Sequence, residues 1–133
     1  MDVVFLIGRI MLAMIFVGSA FGHLTDASSV GYAESKGLPN AKMLVQLSGV
    51  TMLAGGVGII LGIWIDLALL GMAAQVLIHS FALHRFWSEG PETQQVEMSM
   101  FMKNLSISGG ALALYALIQD AGDAPLTITD PLF

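Results

Sequence analysis

Cysteine is absent from the 133-residue chain, and charged residues of either sign are scarce. Without a thiol, the chain forms no disulfide, ligates no iron–sulfur cluster through cysteine and has no thiol nucleophile. Charged residues make up only 11% of the chain, whereas a soluble domain of this size has roughly 25%. Hydrophobic residues make up 56%, and the mean hydropathy is +0.79. The composition therefore predicts a membrane protein rather than a soluble one.

Basic residues are also few: five Lys and Arg stand against ten Asp and Glu, so that the formal net charge is −5. No basic patch is present that could contact phosphates, which excludes nucleic acid as a partner. The length allows one domain. We assign residues 1–119 to a transmembrane domain and residues 120–133 to a short acidic and apolar C-terminal tail.

Long apolar segments account for most of the chain. They cover about residues 3–22, 43–65, 67–84 and 98–118. A helix rises 1.5 Å per residue, so about 20 residues cross the hydrocarbon core of a bilayer. The second and third segments are joined by a very short connection, which favours antiparallel neighbours. The sequence thus predicts an all-α fold, an integral membrane four-helix bundle in contact with the lipid bilayer.

The four spans place the two long loops on one side of the membrane and both termini on the other. Lys36, Lys42, Arg85 and Lys103 lie in or near the long loops, whereas Arg9 is the single basic residue toward the opposite side. Because basic residues concentrate on the cytoplasmic side, we expect a multi-pass cell-membrane protein with loops 24–42 and 85–97 in the cytoplasm and both termini outside.

Polar side chains gather at the loop-side ends of the four segments. Because polar groups within a membrane are costly, such a cluster is a candidate functional site. We select as candidate ligand-binding residues His23, Tyr32, Gln46, His84, Arg85, Trp87, Lys103 and Asn104. The alternative is anchoring, since Arg, Lys and Trp side chains at helix ends also contact lipid head groups.

Arg9 is a second deep charge, about six residues into the first segment from the opposite side. A charge at the centre of a membrane helix costs about 2.5–3.5 kcal/mol on insertion scales, so a partner is expected. Asp66, in the short connection, is nearest in depth, and the sequence predicts a structural Arg9–Asp66 ion pair. Asp2, Asp120 and Gln75 are the other partners within reach.

The three histidines are also candidate metal or haem ligands. His79 and His84 are five residues apart, about 140° around a helix, and cannot both face one haem iron. His23 could pair with either across the bundle, but nothing else in the sequence supports haem. A zinc site needs three or four ligands, and no acidic residue is expected near the histidines. We therefore predict no metal site.

Glycines recur at helical spacing, as Gly18 with Gly22 and Gly58 with Gly62. The second segment also contains Gly49, Gly55 and Gly56. Small residues let membrane helices approach closely, which predicts that this glycine-lined flank packs against a neighbouring helix. The alternative is room for a flat ligand against the backbone.

Short motifs occur in a distinctive order along the chain. They are Gly8-Arg9, Phe21-Gly22-His23-Leu24, Gly31-Tyr32, Lys36-Gly37-Leu38-Pro39, Leu61-Gly62, His84-Arg85-Phe86-Trp87, Lys103-Asn104-Leu105 and Gly109-Gly110. Over about residues 5–118, this order resembles the DoxX family of small four-helix membrane proteins of bacteria and archaea. Two positions depart from the family pattern, with Gln46 where Glu is common and His23 where Lys is common.

The resemblance implies that the protein works with redox enzymes. Members of the family include the membrane subunit of a thiosulfate:quinone oxidoreductase and membrane partners of soluble redox enzymes. Our first hypothesis is a subunit of a membrane oxidoreductase complex that binds a quinone-like molecule at the polar cluster. His23, His84 or Tyr32 would hydrogen-bond a quinone carbonyl, Arg85 and Lys103 would stabilise the reduced oxyanion, and Trp87 or Phe86 would stack on the ring.

Two other hypotheses remain at this point. The chain lacks cysteine and a flavin motif, so any electron transfer requires a partner, either a soluble oxidoreductase or a larger membrane complex. A non-catalytic structural subunit or anchor in such a complex is the second hypothesis, and a small-molecule permease is the third.

Overall fold

The computed structural model describes all 133 residues, and its regular structure is entirely helical. The helices are α1 (Asp2–Thr25), α2 (Ala27–Ser35), α3 (Ala41–Leu61), α4 (Ile65–Leu83) and α5 (Gln94–Ala121), and a short 3₁₀ turn covers Phe86–Ser88. The helices α1, α3, α4 and α5 are each long and apolar enough to cross a membrane. The predicted all-α fold with four membrane spans is confirmed.

The first long loop contains a helix that the hydropathy pattern does not reveal. Asp26 caps the start of α2, and its side chain accepts a hydrogen bond from the Ser28 backbone amide at 2.9 Å. This cap satisfies one of the amides that a helix start leaves unpaired. Ala33 of α2 is buried against Ala41 and Val45 at the start of α3. The loop is thereby folded back onto the bundle, and Tyr32 lies over the end of the helices.

The glycine-lined flank of α3 is a close helix contact. A Cβ built on Gly49 would lie 2.8 Å from Leu24 Cγ, and one built on Gly56 would lie 2.8 Å from Val17 Cγ2, both in α1. Gly55 faces the Met72 side chain of α4 in the same way. Gly18 of α1, in contrast, has no neighbouring atom within 4 Å of such a Cβ. The glycines of α3 therefore allow close helix packing, whereas Gly18 of α1 lies outside the helix contact.

Apolar packing is densest toward the end of the bundle that carries the termini. The main buried cluster includes Phe16, Ile59, Leu69 and Ile118, each no more than 1% exposed. The buried cluster at the loop side is much smaller and consists of the α2–α3 contact. One end of the bundle is thus a filled core, and the other end has room for a cavity.

The two deep charges at the filled end bind the C-terminal tail and not each other. Arg9 Nη1 donates a hydrogen bond to Pro125 O at 3.0 Å, and Nη2 donates to Leu126 O. Asp66 Oδ2 accepts hydrogen bonds from the backbone amides of Leu132 and Phe133 at 2.7 and 2.9 Å. The predicted Arg9–Asp66 ion pair is wrong, because the tail folds across this end and offers unpaired backbone groups to both charges.

The tail also caps the connection between α3 and α4. Thr129 Oγ1 accepts a hydrogen bond from the Trp64 backbone amide at 2.8 Å, and the amide of Ile128 donates to Leu61 O at 3.2 Å. Gly62 has a positive φ of 67°, and a Cβ there would collide with the Thr127 side chain. Glycine is therefore required at this turn both by its backbone conformation and by the tail above it.

Candidate ligand-binding site

A cavity of about 720 Å³ opens at the loop-side end of the bundle, between the ends of the four long helices and beneath α2. Its wall has 22 residues, of which 10 are hydrophobic. All three histidines of the chain line it, and no acidic residue does. The rim includes Leu47 and Ile78, which are 57% and 65% exposed on the outer surface of the bundle. The cavity therefore meets the surface that faces lipid.

The inner part of the cavity is built around two histidines from different helices. His23, near the end of α1, and His79 of α4 contact edge-on, with their ring centroids 5.8 Å apart. His23 Nδ1 lies 2.8 Å from Ser48 Oγ, whose hydroxyl also lies 2.9 Å from Val45 O. The hydroxyl has one hydrogen, so when it donates to Val45 O it accepts from the Nδ1–H of His23. The Nε2 atom of His23 is then an acceptor.

Polar side chains of α3 and α4 join below the histidines. Gln75 Nε2 donates a hydrogen bond to Ser48 O at 3.0 Å, and Gln75 Oε1 lies 2.9 Å from the Thr51 hydroxyl. Gln75 is half-buried in a helix surrounded by apolar residues, and these contacts satisfy its amide. These hydrogen bonds hold α3 against α4 about one helical turn from His79.

The helix α5 supplies a cation and an amide to the same wall. Asn104 is 8% exposed, and Lys103 is beside it. The only hydrogen bond from Lys103 Nζ goes to Met100 Sδ at 3.6 Å. The three ion pairs of the structure all involve Lys36 or His84, so the Lys103 ammonium has no carboxylate partner.

The outer part of the cavity is held by one carboxylate, Glu97, which is 7% exposed and lies behind the wall in the first turn of α5. The Tyr32 hydroxyl lies 2.8 and 2.9 Å from its two oxygens. His84 Nδ1 lies 2.7 Å from Glu97 Oε2, and Lys36 Nζ lies 3.3 Å from Glu97 Oε1. Glu97 therefore connects the end of α2, the end of α4 and the start of α5 at a single point.

The charge state of this outer network follows from its surroundings. Burial raises the pKa of the Tyr32 hydroxyl, and the hydrogen bond to Glu97 raises it further, so Tyr32 stays neutral. Burial alone would lower the pKa of Lys36, but hydrogen bonds to Glu89 and Glu97 outweigh it and the pKa is raised. Hydrogen bonds from Lys36 and Thr93 lower the pKa of Glu89. A charged, hydrogen-bonded network thus lies beside the mouth of the cavity; we call it the latch, and it consists of Tyr32, Lys36, His84, Glu89 and Glu97.

The structure separates the predicted site residues into two groups. The cavity wall contains His23, Tyr32, His84, Lys103 and Asn104. Gln46 does not belong to it, because Gln46 is exposed in a different groove beside Glu34 and Lys42.

Arg85 and Trp87 also lie outside the cavity wall. Arg85 Nη2 donates to Lys36 O at 2.9 Å and supports the latch from outside. The Trp87 ring packs against Phe86 and Phe101 at centroid distances of 5.2 and 5.8 Å. Trp87 is 53% exposed and belongs to an aromatic surface cluster at the end of the bundle.

Several residues of the site are missed by the sequence reasoning, namely His79, Ser48, Gln75 and Glu97. The expectation that no acidic residue lies near a histidine is wrong, because Glu97 contacts His84. A signal for Glu97 exists, since acidic residues are favoured in the first turn of a helix and α5 begins at Gln94, earlier than its apolar run. No three potential metal ligands converge anywhere in the structure.

Comparisons with known proteins give a family assignment. The DoxX family profile matches residues 4–85. The inner membrane protein YqjF of Escherichia coli (strain K12) is 33% identical over 114 residues, a match that covers 85% of this chain and 82% of that protein. No solved structure matches the chain. A profile that matches more than half of the chain, with a relative of this identity and coverage, shows that the protein is a member of the DoxX family.

Proposed function

We propose that this protein is the membrane subunit of an oxidoreductase complex and that its cavity binds a quinone-like molecule. The observation that carries the proposal is the composition of the cavity wall. Hydrogen-bond donors from His79, Asn104 and Lys103 lie at one depth beside apolar side chains, and no carboxylate competes for them. Ligand sites are typically apolar pockets with a few converging polar groups, which this arrangement matches.

A quinone suits this wall in both shape and chemistry. Its two carbonyl oxygens are acceptors only, and His79, Asn104 and Lys103 supply donors. Its ring and tail are apolar, and Val45, Met52 and Ile78 line the same space. The rim at Leu47 and Ile78 faces lipid, so a bilayer-soluble molecule would enter without crossing water. Arg85, Trp87 and Phe86 lose the ligand roles first assigned to them, because they lie outside the wall.

Electrons would have to come from a partner protein, because the chain has no cysteine and no flavin-binding motif. The face for this partner is the loop side, where the latch and the aromatic cluster surround the mouth of the cavity. We place this face in the cytoplasm on the distribution of Lys and Arg.

The test is purification from native membranes in a mild detergent, followed by mass spectrometry of bound proteins and extracted lipids. We expect a soluble oxidoreductase and a quinone to elute with the wild-type protein. The quinone should be lost from a His79→Ala variant and retained by the matched Gln46→Ala variant, whose side chain lies outside the cavity. A large complex without quinone on this chain would contradict the proposal.

A structural subunit is the second candidate, favoured by the aromatic cluster at the loop side. Phe81 and Trp87 are 56% and 53% exposed and pack on each other and on Phe101. Such a cluster is typical of a docking or interfacial anchoring surface. It predicts that His79→Ala leaves complex assembly unchanged while substitution of Trp87 disrupts it. A permease is less favoured, because the packed side chains of Phe16, Ile59 and Leu69 close the bundle beyond the cavity.

A further inference from the structure

The cavity wall has a charge pattern opposite to that of the chain. Ten acidic residues outnumber five basic ones in the sequence, yet the wall contains no Asp or Glu. It does contain all three histidines together with Lys103. An acceptor or anion placed in this cavity would meet donors from several helices, while Glu97, behind the wall, is already paired with Lys36 and His84.

Lys103 differs from the other basic residues at this end of the bundle. Lys36 is paired with Glu89 and Glu97, and Arg85 donates to a backbone carbonyl. Lys103 lies further inside α5, and its ammonium contacts only the sulfur of Met100. A cation within a membrane helix is costly without a partner of opposite charge. Lys103 is an exposed residue and no carboxylate of the chain pairs with it, so an anionic group of a ligand or of a lipid would be its counter-ion.

The neighbours of Lys103 are suited to hold such a group. Asn104, which is 8% exposed, offers an amide donor on the same wall, and the His79 ring lies at the same depth on α4. Hydrogen bonds in which one partner is charged are about twice as strong as neutral ones, and a low dielectric strengthens them further. Ionic contact at Lys103 and hydrogen bonds from its neighbours would together discriminate an anion from a neutral head group.

We propose that the cavity selects an amphiphile whose head group is an anion at neutral pH, with Lys103 as its counter-ion. This proposal rests on the proposed function, because it concerns the same cavity. The ligand would be a quinone with an acidic ring hydroxyl, or another molecule with an anionic head group and an apolar tail. The apolar tail lies along the lipid-facing rim at Leu47 and Ile78.

The test measures binding of three probes to the full-length protein in phosphatidylcholine nanodiscs by equilibrium dialysis. The probes are 2-hydroxy-3-undecyl-1,4-naphthoquinone, which is an anion at neutral pH, its neutral 2-methoxy analogue, and laurate. Wild-type protein is compared with Lys103→Met and Lys103→Arg. The matched control is Lys42→Met, because Lys42 lies outside the cavity. A parallel set of nanodiscs contains phosphatidylglycerol, which reports competition from lipid head groups.

We expect the hydroxyl probe to bind about tenfold more tightly than the methoxy probe, which corresponds to about 1.4 kcal/mol. The preference should disappear in Lys103→Met, persist in Lys103→Arg and be unchanged in Lys42→Met. If laurate binds as tightly as the hydroxyl probe and the methoxy probe does not bind, the cavity selects anions. That result supports the anion proposal and overturns the quinone function. Loss of the preference when phosphatidylglycerol is added also supports it and identifies a lipid head group as the source.

Two results overturn the inference. Equal binding of the hydroxyl and methoxy probes, unaffected by Lys103→Met, refutes anion selection and leaves the quinone function standing. Failure of all three probes to bind, with a melting temperature of the purified protein that shows it is folded, refutes both.

Discussion

At the scale of the residue, the Glu97 side chain joins several helices at one point. Its carboxylate contacts Tyr32 and Lys36 at the end of α2 and His84 at the end of α4, and so links both to α5. The depth of the site residues was predictable, because hydropathy fixes where each span ends. The direction of each side chain was not, because successive residues of a helix point 100° apart and packing alone sets the rotation. Asn104 therefore faces the cavity, whereas Gln46 faces away from it.

The ion pair of Lys36 and Glu89 predicts how stability depends on pH. Because the Glu89 pKa is lowered from its ordinary value of 4.5, the stabilisation is present above that value and lost as the pH falls below it. Because the Lys36 pKa is raised from 10.5, its stabilisation is lost as the pH rises above that value. We expect a plateau of melting temperature between these limits.

Substitution of the acid tests this plateau. Glu89→Gln should lower the melting temperature at neutral pH and reduce its decline on acidification, measured by thermal unfolding in detergent. Glu92→Gln is the control, because Glu92 is exposed and makes no ion pair. A Glu89→Gln profile that overlays the wild type at every pH would contradict the role of this pair.

At the scale of the element, the helices follow from hydropathy, whereas α2 and the docked tail depend on polar contacts that hydropathy does not report. Asp26 starts α2 by capping it, and this brings Tyr32 to the cavity. The tail docks because Arg9 and Asp66 bind its backbone. The sequence placed both charges at the right depth but could not reveal that an apolar tail would fold between them.

The close contact between α1 and α3 predicts that alanine in place of Gly56 destabilises the protein, whereas alanine in place of Gly18 does not. Gly56→Ala would bring its Cβ within 2.8 Å of Val17 Cγ2 and 3.2 Å of the Val17 backbone nitrogen, so the helices must separate. We expect a loss of about 1–3 kcal/mol in the free energy of unfolding. Gly18→Ala, with open space around its Cβ, should be neutral or slightly stabilising. Equal effects of the two substitutions in denaturant titration would refute the close packing at Gly56.

Removal of the tail should expose two buried charges. Arg9 and Asp66 are 1% and 0% exposed, and deletion of residues 125–133 leaves the tail-bound atoms of both without partners. A hydrogen bond to a charged group contributes about 1.5–3 kcal/mol, so the truncated protein should unfold at a lower temperature. Adding Arg9→Met and Asp66→Asn to the truncated chain should recover part of the loss. Truncation without effect on thermal unfolding would contradict the docked tail.

At the scale of the whole molecule, the bundle has two different ends. The terminal end is a packed core sealed by the tail, and the loop end holds the cavity and its latch. This arrangement places the long loops on one side and the tail on the other, which was predictable from an even number of spans. Which side is cytoplasmic rests on the few Lys and Arg residues.

The orientation can be tested directly because the chain contains no cysteine. Single substitutions Glu92→Cys, in the second long loop, and Asp130→Cys, in the tail, introduce exposed labelling sites at opposite ends. We expect a membrane-impermeant maleimide to label the Asp130→Cys variant in intact cells. The Glu92→Cys variant should react only after the cells are opened. The reverse pattern would place the cavity mouth outside the cell.

The central claim is that the cavity lined by histidine, Lys103 and Asn104 holds a quinone-like ligand. Photolabelling of native membranes with an azidoquinone, followed by peptide mapping, tests it most directly. We expect label in the segments 75–84 and 100–104, and we expect it to be competed by excess unmodified quinone and reduced by His79→Ala. Label that resists competition, or that is confined to the groove around Gln46, would contradict the account.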